Sequence, residues 1–109
     1  MAGESKVRTT KELLLFENMT QSELVLKINP NDALDLGLIE RENNANFIVH
    51  EKNKENREIS VTYENCLIYI DNDCKSGTAR IGAKLWKKIG KIGKVVLAMR
   101  DNCLYIVPK

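Results

Sequence analysis

The chain is poor in the residues that carry most enzyme chemistry. Histidine occurs once, as His50, and cysteine three times, as Cys66, Cys74 and Cys103. An odd count argues against a closed disulfide framework. No pair has C-x-x-C spacing, and His50 is not spaced from any cysteine as zinc ligands usually are. Reduced thiols in strands or turns are the expectation. A cysteine nucleophile with His50 as its base would need the two to meet in space, and no nucleophile motif marks either. Ser-His-Asp order and paired acid motifs are also missing, so no catalytic residue, metal or cofactor is expected. No apolar run approaches the ~18 residues of a membrane span. Met1 to Thr10 lacks the apolar stretch of a secretion signal. A cytoplasmic or nuclear location is the default reading, with no membrane partner.

What the sequence has in plenty is segregated charge. From Lys75 to Arg100 there are eight basic residues and no acid, whereas the remainder carries nine basic and fifteen acidic side chains and sums to −6. The overall +2 hides this division. Such asymmetry produces a one-sided field that can steer an anionic partner.

Length and composition suit one domain: 109 residues, 43% hydrophobic and 29% charged, enough to bury a core without staples. Residues 1–10 are polar and expected to be a flexible N-terminus, with residues 11–109 forming a single β-barrel domain. Leu13-Leu14-Leu15-Phe16 is compatible with a strand or a helical turn, and 17–22 reads as a loop. Leu24 to Ile28 alternates like a strand. Asn29 suits a helix N-cap, Pro30 the first helical position and Gly37 the stop, so a short helix is predicted over 30–36. The Asn-rich stretch 40–46 reads as a loop. Strands are then predicted at 47–49, 57–63 and 67–70, with a charged turn over 51–56. Thr78 to Ile81 follows the Ser76-Gly77 turn. A second helix is predicted over 82–90, with Leu85, Trp86 and Ile89 as its buried stripe and Lys84, Lys87, Lys88 and Lys91 around it. Two last strands, 95–99 and 104–107, flank a turn at 100–103.

Leu26 to Gly37 can be laid over Ala79 to Gly90 without a gap, so that Ile28 meets Ile81 and Leu36 meets Ile89. Each copy runs on to a hairpin, 47–63 in the first and 95–107 in the second. Neither copy can bury both faces of its hairpin alone, so the two are expected to close on each other. The fold class is therefore mainly β with two short helices, a small pseudo-twofold β-barrel of double-psi or swapped-hairpin type.

The pattern resembles the cradle-loop and double-psi barrel group, in which a strand and a short helix ending in Leu-Gly precede a Gly-Asp turn into a strand. Leu36-Gly37 and Gly93-Lys94-Val95-Val96 carry the likeness, with Lys94 where the group has Asp and Glu42-Asn43-Asn44 where the first copy would need the Gly. Two families are similar over about two-thirds of the chain. AbrB-like DNA-binding regulators pair two chains into one barrel, which implies DNA and a second copy of the chain as partners. The N-terminal barrel of AAA ATPases of the valosin-containing-protein type has two units in one chain and implies a protein-interaction module that recruits adaptors or substrates. Lys84 to Ile89 followed by Val95 to Arg100 is also similar to the OB barrel of small-subunit translation initiation factors, which makes an OB-type barrel the alternative fold.

The basic segment is the main functional candidate. Arg80, Lys84, Lys87, Lys88, Lys91, Lys94 and Arg100 are crowded enough to neutralise phosphates on one surface, giving salt-sensitive, backbone-directed affinity. The expected function is non-catalytic nucleic-acid binding, of either DNA or RNA. An acidic protein partner and a merely solubilising face are the competing readings. Trp86 could stack on a base, but its spacing from Leu85 and Ile89 favours the core. Asp71-Asn72-Asp73 is similar to the start of a calcium loop but lacks its Gly and distal Glu, and reads as a turn. Gly90 to Lys94 lacks the spacing of a phosphate-binding loop.

Overall fold

Short helices are set by their ends, and the first shows how. In α1 (Pro30–Asp35), Asn29 is the N-cap, in an extended backbone, and its side chain accepts from the Asn31 N–H at 2.8 Å. Pro30 occupies a position where no backbone donor is needed. At the other end the Leu38 N–H donates to the Ala33 carbonyl and the Gly37 N–H to the Leu34 carbonyl. This paired closure needs a left-handed residue, and Gly37 supplies it with φ +75°. Helix α2 (Ala83–Ile89) buries Leu85 and Ile89, four residues apart on one face. The computed structural model describes residues 7–18, 24–52, 54–89 and 93–109, the side chains of Asn18 and Lys52 excepted.

The strands are β1 (Arg8–Thr9), β2 (Leu13–Asn18), β3 (Val25–Ile28), β4 (Glu42–Lys52), β5 (Glu58–Ile70), β6 (Thr78–Gly82), β7 (Lys94–Arg100) and β8 (Cys103–Pro108). Neighbours run β7-β2-β6-β3-β5-β4-β8, and the β7–β8 pairing closes the ring, a seven-stranded barrel with β1 laid along β7. Pairs β2–β6, β3–β5 and β4–β8 are parallel and the rest antiparallel. Alternate residues point inward: Leu13 and Leu15, Leu26 and Ile28, Phe47 and Val49, Cys66 and Ile68, Ala79 and Ile81, Leu97 and Met99, Leu104 and Ile106 form one buried cluster with Leu85 and Ile89. The described residues contain no helix long and apolar enough to cross a membrane.

The repeat is visible in the hydrogen-bond register. Shifting by 53 residues (28 to 81) turns the pairs Leu14–Thr78, Leu15–Ala79 and Phe16–Arg80 into Leu67–Val25, Ile68–Leu26 and Tyr69–Lys27, all of which occur. In the antiparallel pair β3–β6, Lys27 faces Arg80, so the pseudo-twofold axis passes between those two residues. Strands β1 and β2 correspond together to β5. The pairs Arg8–Met99 and Thr9–Ala98 match Val61–Val49 and Thr62–Ile48 when the second partner shifts by 50 (99 to 49), a different offset that reflects unequal loops after the two helices. Among the described residues, strand β2 pairs only with β6 and β7 of the second copy, and β5 only with β3 and β4 of the first. Each half thus completes the other's sheet, and strand β8 bridges β4 and β7.

Several expectations need correction. The hairpin of the first copy is not equivalent to that of the second, because the partner of β5 under the shift is β1–β2 and β8 lies outside the repeat. An OB-type barrel is set aside, since that fold closes five strands and this ring has seven. Residues 8–10, expected within a flexible stretch, join the barrel: Arg8 and Thr9 pair with β7, and Thr10 is buried with its hydroxyl accepting from the Leu97 N–H at 3.1 Å, while residues 1–6 lie outside the described residues. The stretch 40–46 is loop only at its start, because Glu42 to Ala45 pair with β5 and alternation turns Ala45 inward. The two strands predicted over 57–63 and 67–70 are one strand, kinked where register shifts opposite Ala45 and Phe47 and where Asn65 has φ +60°. Glu17 is in β2. The rest of that predicted loop, from 19 on, and the predicted stop at Gly90 lie outside the described residues.

Candidate nucleic-acid interface

Helix α2 places its lysines by periodicity. With Leu85 and Ile89 turned to the core, Lys84, Lys87 and Lys88 fall on the wet side, all exposed. Lys87 and Lys88 occupy the last turn, where positive charge complements the helix dipole. Among the described residues neither makes an ion pair with a carboxylate. Lys94 and Arg80 are exposed by strand alternation, Lys94 beside Leu14 on β2 and Arg80 beside Phe16. Arg100 is exposed at the opposite end of β7, six residues from Lys94, or about 20 Å at ~3.3 Å per residue. Lys91 lies outside the described residues. The basic residues therefore divide into the wet side of α2, the start of β7 beside β2, the outer wall of β6, and the far tip at Arg100.

Three contributors were not singled out from the sequence. The outer row of the barrel reads Phe16, Arg80, Lys27, Tyr69, Glu42 across five adjacent strands. Each cation lies over the aromatic ring beside it: the Arg80 guanidinium carbon is 5.6 Å from the Phe16 centroid and the Lys27 ammonium 5.5 Å from that of Tyr69. These distances are within cation–π range. Like charges directly opposite on antiparallel strands are unfavourable, and here each leans on a ring. The two halves are not chemically equal, because Lys27 also pairs with Asp71 at 3.6 Å and is mostly buried. An open cleft beside them is lined by Lys27, Asp71, Asp73, Cys74 and Arg80. The signal for this row was in the repeat, which superposes Lys27 on Arg80. Phe16 and Tyr69 needed the strand pairing.

The remaining candidates are engaged within the fold. Trp86 is half-buried and packs against the core. Asp71 closes a turn, accepting from the Asp73 N–H through its side chain at 2.9 Å and from the Cys74 N–H through its carbonyl at 3.0 Å. The described residues hold no cluster of three metal-ligating side chains. All three cysteines are free thiols. Burial pushes the Cys66 and Cys74 thiols up from their ordinary pKa. Cys66 lies opposite Ala45 and Cys103 opposite Asn46, five and four residues along β4 from His50, or about 17 and 13 Å. Cys74 sits in the turn before β6 with its thiol against Thr78 and the Lys27 carbonyl. Tyr63 donates to the Glu51 carboxylate. Burial, then that bond and the charge of Glu51, push its pKa up to about 12.

The sequence matches no family model and no curated protein.

Proposed function

We propose that this barrel is a non-catalytic nucleic-acid-binding module that grips the phosphate backbone with α2 and the adjoining start of β7. One observation carries the reading: every described basic residue between Lys75 and Arg100, a stretch without an acid, has its side chain exposed. Exposed lysines at helical spacing neutralise phosphates and release counterions, which gives affinity without base readout. Lys84, Lys87, Lys88 and Lys94 are the assigned phosphate contacts, with Arg80 on the wall beside them. Lys91 belongs to the same segment by sequence. Arg100, about 20 Å from Lys94, contributes only to a ligand long enough to reach the β7–β8 tip.

The test is a fluorescence-anisotropy titration with labelled oligonucleotides at about 50 and 200 mM salt. Binding that weakens steeply with salt supports the reading. No binding at low salt, or affinity indifferent to salt, overturns it. A protein partner retained after nuclease treatment by a chain with no oligonucleotide affinity would place the protein with the adaptor-recruiting modules instead.

A further inference from the structure

We infer that the outer wall formed by Phe16, Arg80, Leu14 and Lys94 is a stacking platform that selects single-stranded over double-stranded nucleic acid. The inference rests on the nucleic-acid reading above and assigns its substrate class. The observation is a juxtaposition of exposed apolar surface with cations on the outer wall. Phe16 and Leu14 are large apolar side chains left 42% and 44% exposed on the outer face of β2. Arg80 lies over the Phe16 ring from β6, and Lys94 stands beside Leu14 from β7. Among the described residues no carboxylate makes an ion pair with either cation.

An exposed ring joined to a guanidinium is a surface on which an unpaired base stacks. A duplex keeps its bases stacked inside and offers that surface only phosphates. Neighbouring strands are about 4.8 Å apart and residues about 3.3 Å apart along a strand, so Arg80 over the ring and Lys94 opposite Leu14, two residues along β2, place positive charge on both sides of that strand within the reach of one or two nucleotides. The pseudo-twofold supplies an internal comparison. Tyr69 and Lys27 occupy the equivalent positions, but Lys27 is engaged by Asp71 and the outer neighbour of Tyr69 is Glu42. That half of the row repeats the geometry without the free positive charge, so the platform is confined to the Phe16 half.

The experiment compares a labelled oligothymidylate with a duplex of equal length, using the whole chain. Wild type is expected to bind the single strand more tightly. Phe16→Leu keeps an apolar side chain at an exposed position and removes the π-face. It is expected to weaken single-strand binding by about fivefold or more, to leave the salt slope unchanged and to leave duplex binding unchanged. Tyr69→Leu is expected to leave both unchanged. As a measurement needing no variant, the Phe16 ring resonances of the wild type are expected to shift on adding oligothymidylate. Equal affinity for both forms, an unaffected Phe16→Leu variant, or ring shifts confined to Tyr69 overturns the platform while leaving phosphate binding standing. Failure of every oligonucleotide to bind overturns both.

Discussion

Gly37 and Gly77 together test how the N-terminal strand is anchored. Both have positive φ, +75° and +86°. Replacing either with alanine forces a Cβ into a left-handed backbone, which costs about 1–2 kcal/mol, partly offset by ~0.4–1 kcal/mol from stiffening the unfolded chain. At Gly77 nothing lies within 4 Å of the new Cβ, so the cost is backbone alone. At Gly37 the Cβ would sit 2.9 Å from Arg8 Cδ and 3.0 Å from Nε, so the side chain of β1 that lies over the end of α1 must move. Gly77→Ala is expected to lower stability by about 1 kcal/mol, roughly 5 °C in Tm for a chain of this size. Gly37→Ala should lower it by about 2 kcal/mol, because Arg8 loses its seat. In an Arg8→Ala background the two glycine variants should cost the same. Thermal and urea unfolding of the six proteins (wild type, three single and two double variants) gives the cycle. A Gly37→Ala cost no larger than that of Gly77→Ala, or a gap that survives removal of Arg8, would refute the contact between β1 and α1.

Thr10→Val keeps the shape but strips the buried Leu97 N–H of its acceptor, and is expected to cost about 1–3 kcal/mol in urea unfolding. Tyr63 should titrate near 12 by ultraviolet absorbance, against an ordinary value of 10.0. Because the folded state holds this proton more tightly, the associated stability is complete below pH 10 and is lost as pH rises through about 12. Glu51→Gln should lower the midpoint without restoring the ordinary value, since burial is the larger cause. In the native protein a thiol reagent should modify half-buried Cys103 first, while Cys66 and Cys74, 0% and 3% exposed, react only on opening of the fold.

The parts legible in the sequence are those where local chemistry and tertiary need agree. Asn29, Pro30 and Gly37 bracket α1 because caps act within a few residues, and the superposition of Ile28 on Ile81 anticipates the pseudo-twofold because both are inward at the same depth. Glu42-Asn43-Asn44 reads as loop because its residues face outward or flank the bulge, and only Ala45 betrays the core. The strand at Arg8–Thr9 was invisible for a similar reason: its inward anchor is a threonine hydroxyl satisfied by Leu97, 87 residues away. At the candidate site the lysines of α2 followed from helical period alone. The pairing of Phe16 with Arg80 did not, since it depends on β2 of one repeat lying parallel to β6 of the other.

The central claim is that α2 and the start of β7 neutralise phosphates. Its most direct measurement is the slope of log K against log salt for wild type and for Lys87→Gln/Lys88→Gln on the same single-stranded oligonucleotide. Each neutralised phosphate contributes about −0.7 on a single strand, so contacts from Lys84, Lys87, Lys88 and Lys94 predict a slope near −2.8, falling to about −1.4 in the double variant. A slope that is the same in both proteins would contradict the account.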